Sequence, residues 1–181
     1  MKQPLSWNRI QLLCKWMRRV FLFWMVFQPV TVLAIWALLP WVPGTVLGPF
    51  LEGAVVSQTT LPVRISGMLA SFPGILLHVL LFFQLAKLVS LWEGKDIFGE
   101  ASVRCLSRLG TLYLWAALVG AVQRSLVSVA LSMGNEPGAR RLSLGISSDD
   151  AGSMMTGFFL WLLAYILLQA SLLKRESDLT V

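Results

Sequence analysis

The sequence predicts an all-α protein, a polytopic transmembrane four-helix bundle preceded by an amphipathic interfacial helix. Three observations carry that prediction. Hydrophobic residues make up 56% of the 181 and charged residues only 13%, against roughly 45–50% and 25% in soluble domains. The apolar residues are gathered into four blocks about as long as the ~20 residues a helix needs to cross a ~30 Å hydrocarbon core. Lysine and arginine crowd the ends of those blocks on one side, which is the pattern that orients membrane helices.

The leader before the first block, SWNRIQLLCKWMRR, sets Trp7, Ile10, Leu13, Trp16 and Met17 on one helical face and Arg9, Lys15, Arg18 and Arg19 mostly around the rest, a composition suited to the membrane interface. The first span covers residues 20–39. Its length, its tryptophans and the basic leader mark a retained helix rather than a secretory signal peptide. Pro29 deletes one backbone hydrogen bond within it, a defect that neighbouring helices can repair in a membrane. Residues 40–66 contain Pro40, Pro43, Pro49, Pro62, Gly44, Gly48 and Gly53, which predicts a loop, and its apolar character keeps it against the headgroups or the bundle. The second, third and fourth spans cover residues 67–91, 109–133 and 151–173. A basic loop, residues 92–108, joins the second and third, and a polar loop, residues 134–150, joins the third and fourth. All four spans belong to one membrane domain, residues 1–181.

Of the 15 basic residues, Lys2, Arg9, Lys15, Arg18, Arg19, Lys87, Lys95, Arg104, Arg108, Lys174 and Arg175 fall on one side; only Arg64, Arg140 and Arg141 fall on the other. By the positive-inside rule both termini lie in the cytoplasm, and an even number of spans agrees. The net charge of +6 therefore reads as an orientation signal and not as a nucleic-acid footprint. Cys14 and Cys105 sit on the cytoplasmic side, where thiols stay reduced, so no disulfide is expected.

Within the spans, Arg124 is the most informative residue, because an arginine in mid-bilayer costs roughly 2.5–3.5 kcal/mol and has to face protein or water. It either occupies the interior with Gln123 beside it or snorkels to the outer interface; a bound anion is a third reading. Within reach in the predicted spans are Gln28, His78, Gln84, Gln169 and the carbonyls freed by Pro29 and Pro73, with no carboxylate among them. A lone His78 reads as a packed, hydrogen-bonded residue. The pairs Gly67 with Ser71, Ala70 with Gly74 and Ala116 with Gly120 permit close helix approach within the protomer. Asp149 and Asp150, following Ser147 and Ser148, read as capping residues for the fourth helix. The sequence holds no GxSxG, HExxH, Walker or GxGxxG motif, no cofactor or metal is expected, and the chain is read as no enzyme.

The segment EGKDIFGEASVRCLSRLG, with Gly94, Ile97, Phe98, Val103, Leu106, Leu109 and Gly110, and the ending LLKRESDLTV, with Glu176, Asp178, Leu179, Thr180 and Val181, resemble the bacterial inner-membrane family catalogued as domain of unknown function 2975. Cys105 and the long apolar first loop depart from its pattern. Many members are encoded beside a small helix-turn-helix regulator, so the resemblance implies a membrane sensor or anchor for a cytoplasmic partner. The contact elements it points to are Gly94, Ile97, Phe98, Val103, Leu106, Asp178, Leu179 and Thr180. The expectation is thus a non-enzymatic protein embedded among membrane lipids that acts through protein contacts, with a cytoplasmic regulator or, as an immunity protein, with a membrane-targeting toxin. The alternative is a small transporter or channel component with Arg124 in its pathway.

Overall fold

In a computed structural model, the structure describes residues 7–41, 60–94, 96–97, 99–133 and 147–179. They form four long helices: α1 (Trp7–Leu38), followed by a short 3-10 turn (Leu39–Trp41), then α2 (Leu61–Glu93), α3 (Glu100–Ser132) and α4 (Ser148–Leu179). Among the described residues there is no strand, and all four helices are long and apolar enough to cross a membrane.

Each helix outruns its predicted span. At 32 or 33 residues the helices are ~48–50 Å long, against a hydrocarbon core of ~30 Å. The leader is helical, as its pattern predicts, and runs without a break into the first span. Its Leu13, Trp16 and Met17 turn outward, 61%, 60% and 40% exposed, while Cys14 is buried.

The loop predicted at residues 40–66 ends sooner, because α2 starts at Leu61. Thr60 precedes the helix and Pro62 occupies its first turn, where a missing N–H costs nothing; read as a breaker, Pro62 is instead a starter. Likewise the loop predicted at residues 92–108 shrinks to the short connection between Glu93 and Glu100. It is closed by the Gly94 N–H on the Ser90 carbonyl (3.2 Å) and the Asp96 N–H on the Leu91 carbonyl (3.1 Å). Charged residues such as Arg104 and Arg108 end a hydrophobic block without ending a helix.

The helices pack in chain order, α1 on α2, α2 on α3 and α3 on α4, and α1 and α4 share no comparable interface. Two apolar cores result. One, at the end where α2 meets α3, gathers Leu81 and Leu88 of α2, Val103, Cys105, Leu106 and Leu109 of α3, and Ala164 of α4. The other, at the opposite end, gathers Trp36, Leu39, Val63 and Leu131.

Glycines set the distances between neighbours. A methyl group at Gly110 would lie 2.9 Å from the Gly157 carbonyl, and one at Gly157 would lie 2.9 Å from the Gly110 carbonyl, so α3 and α4 touch backbone to backbone there. The Trp161 indole N–H spans the same crossing to the Ser107 carbonyl (3.1 Å) and the Thr111 hydroxyl (3.2 Å). Gly67 and Ser71 take an aromatic rather than a backbone. The Trp36 ring lies across Gly67 and its N–H donates to Ser71 Oγ at 2.9 Å, while that hydroxyl donates to the Gly67 carbonyl, also at 2.9 Å.

Candidate functional site

The polar groups that the spans cannot leave in lipid are brought together at two levels. At the end opposite the termini, Arg124 meets a carboxylate after all. Its guanidinium pairs with Asp150 Oδ2, so the expectation that no acid lies within reach is corrected. The reason is register. Arg124 stands eight residues before Ser132, ~12 Å below the end of α3, and α4 begins at that depth rather than flush with its neighbour. Asp150 is almost fully buried, at 4% exposure.

Asp150 also serves the start of its own helix. The Ser147 N–H donates to Asp150 Oδ2 at 2.9 Å, and the Asp150 N–H faces Ser147 Oγ at 3.4 Å. This is the reciprocal capping box that satisfies two orphan N–H groups of a first helical turn, as the Ser–Asp pattern predicts. One buried carboxylate therefore closes a helix end and neutralises a partly buried cation. Gly120 makes the room, since a methyl group there would sit 3.0 Å from Asp150 Oδ1.

The other predicted intramembrane residues do not join Arg124 as one site. The Gln123 side chain lies over Gly74 of α2, so that glycine seats a polar side chain. His78, one turn further along α2, is exposed on the outside of the bundle, and its Nδ1 bonds the Gly74 carbonyl at 2.8 Å. Gln28 Oε1 on α1 is buried and has no hydrogen-bond partner among the described residues. Gln84 faces the Cys105 thiol, whose Sγ is 3.4 Å from both its carbonyl and its side-chain oxygen.

At the termini end, Glu93 gathers the leader. Arg18 donates to it at 3.3 Å, Lys15 lies at 3.9 Å, and Gln11 donates to its backbone carbonyl at 3.4 Å. The contact elements expected there divide. Val103 and Leu106 are 7% and 2% exposed within the protein's own core, so their place in the motif is packing and they are not available to a partner. Leu109 and Gly110 are likewise interior. Gly94 is exposed and Ile97 half-buried. Asp178 and Leu179 belong to the last turn of α4, whereas Phe98 and Thr180 lie outside the described residues.

Sequence reasoning missed two contributors. Arg64, assigned to the outer loop, is helical, and its Nε donates to the Trp36 carbonyl at 3.2 Å, with a second nitrogen on the Ala37 carbonyl. It thereby satisfies orphan carbonyls at the end of α1. Asp150 was legible as a cap but not as the partner of Arg124.

Four apolar helices in up-and-down order, with their interior charge paired, define a multi-pass α-helical membrane protein. Residues 20–181, nearly the whole chain, match a family described as protein of unknown function (DUF2975), and the chain belongs to that family. Comparison with curated proteins and with solved structures gives no match.

Proposed function

We propose that this protein is a non-enzymatic anchor in the bacterial inner membrane, with both termini cytoplasmic, that holds a cytoplasmic protein at the end of the bundle where α4 projects. The observation behind this reading is the length of α4. Gly157 lies against Gly110, Trp161 against Ser107, and Ala164 in the cluster of Leu106. Extended at equal rise, that pairing sets Glu100 opposite roughly residue 170, so the last turns of α4 run ~13 Å beyond the start of α3. A helix end that runs past its neighbour α3, at the same end of the bundle as the exposed Gly94, offers a handle for a partner. The basic residues of that end support a cytoplasmic orientation.

The pairing of Arg124 with Asp150 favours this reading over transport, because it gives the arginine a structural duty at a helix terminus. A photo-crosslinker at Asp178 in intact cells is expected to capture one stoichiometric protein, lost when the chain is cut after Leu173. Capture of a secreted or membrane-targeting toxin instead would make it an immunity protein, and capture of lipid alone would overturn the reading.

A further inference from the structure

The exposed side of α3 changes character along its length in the way a phospholipid does. Arg104 and Arg108, one turn apart near its start, are both exposed. Arg104 shares Glu100 at 3.6 Å, with both side chains about two-thirds in the open (65% and 63%). No carboxylate lies within ion-pair distance of Arg108 among the described residues. Two turns on from Arg108, at the same angular position, Trp115 is 54% exposed, followed by Leu118, Val122 and Leu126 at 55%, 52% and 46%. Helical spacing places these six on one stripe. Trp161 flanks it from α4, 46% exposed and tied to Ser107 and Thr111. Lys87 adds a third exposed cation where α2 meets α3, beside Cys105 with Arg108.

The geometry points to a binding site for an anionic phospholipid of the leaflet at the termini end. Arg104, Arg108 and Lys87 hold its phosphate, Trp115 and Trp161 flank the glycerol region, and an acyl chain lies over Leu118 and Val122. Basic clusters between helices at a membrane surface select anionic headgroups, and tryptophan favours the headgroup level. The charge argues for a phospholipid over a neutral lipid, and the apolar continuation of the stripe argues for a phospholipid over a free anion.

The test is native mass spectrometry of the full chain in non-ionic detergent with phosphatidylglycerol or phosphatidylcholine added. Preferential retention of phosphatidylglycerol is expected. It should fall roughly tenfold or more in the R104Q/R108Q double variant, persist in R104K/R108K, and persist in R9Q/R19Q, which removes two exposed cations from α1. The stripe residues are exposed, so circular dichroism should be unchanged. Equal retention of the two lipids, undiminished binding in R104Q/R108Q, or displacement by inorganic phosphate would overturn the site. Photo-crosslinking from position 108 to a protein rather than to lipid would also overturn it and reassign the stripe.

Discussion

The two ends of the bundle solve one problem in opposite ways. Each apolar core joins three helices and leaves the edge helix to polar contacts. Where Trp36, Leu39, Val63 and Leu131 pack α1, α2 and α3, α4 is held by Arg124 on Asp150. Where Leu81, Leu106 and Ala164 pack α2, α3 and α4, the start of α1 is held by Lys15, Arg18 and Gln11 on Glu93. The carboxylates differ in surroundings. The Asp150 side chain is 6% exposed and its arginine 26%, whereas Glu93 is 21% exposed and its cations 55% and 45%. The same kind of contact is therefore more firmly set at one end than at the other, because the carboxylate is buried in the first and solvent screens both the carboxylate and its cations in the second.

The strongest way to break that comparison is Asp150→Ala. It takes the carboxylate from a partly buried guanidinium and removes the capping box together, and losing one partner of a buried pair typically costs about 3–5 kcal/mol. A large fall in the thermal midpoint of the detergent-solubilised protein is expected, little changed by salt. The double variant Arg124→Met/Asp150→Asn removes the cation together with its carboxylate and keeps an acceptor for the Ser147 N–H, so it should recover most of the loss. A double variant as unstable as Asp150→Ala would show that the cap, and not the ion pair, carries the end.

A second test concerns what sets the register that makes the pair possible. Gly110→Val puts a branched side chain where even a methyl group meets the Trp161 ring and lies 2.9 Å from the Gly157 carbonyl. Overpacking of this kind costs about 1–3 kcal/mol. Because it pries α3 from α4, its effect and that of Asp150→Ala should be less than additive. Strict additivity, measured by the same melts, would separate the crossing from the ion pair.

The same register explains where sequence reading stops. The four spans were legible because hydrophobic length is a one-dimensional property, whereas the small-residue pairs, expected to bring helix backbones together, seat side chains at Gly67, Gly74 and Gly120, and the backbone crossing falls at Gly110 and Gly157. That Gly67 takes the Trp36 ring and Gly74 the Gln123 side chain depends on which helix lies opposite, and so does the meeting of Arg124 with Asp150, 26 positions away. A reading that sets helix ends flush with one another hides Asp150 from Arg124. The motif residues Val103 and Leu106 were visible as a pattern, but a pattern does not say whether a residue serves the core or a partner; their burial does.

The gentlest perturbation sharpens the comparison most. Glu93→Gln removes an ion pair of the partly exposed class, worth about 0.2–1 kcal/mol and screened by salt. Global stability should therefore move little, and the small difference from the parent protein should vanish as salt is raised. What should change is the attachment of the leader alone. Cys14 lies against the bundle in that segment at 6% exposure, so its thiol reports fraying of α1 directly. Faster alkylation of Cys14 is expected in Glu93→Gln at low salt, and parental Glu93 protein in high salt should approach that rate, while Asp150→Ala leaves it unchanged under conditions where that variant stays folded. Equal labelling in all three proteins would mean that apolar contacts such as Phe21 against Phe82, with ring centroids 6.5 Å apart, hold the leader without help. The two ends would then differ in whether charge matters at all, rather than in how strongly solvent tempers it.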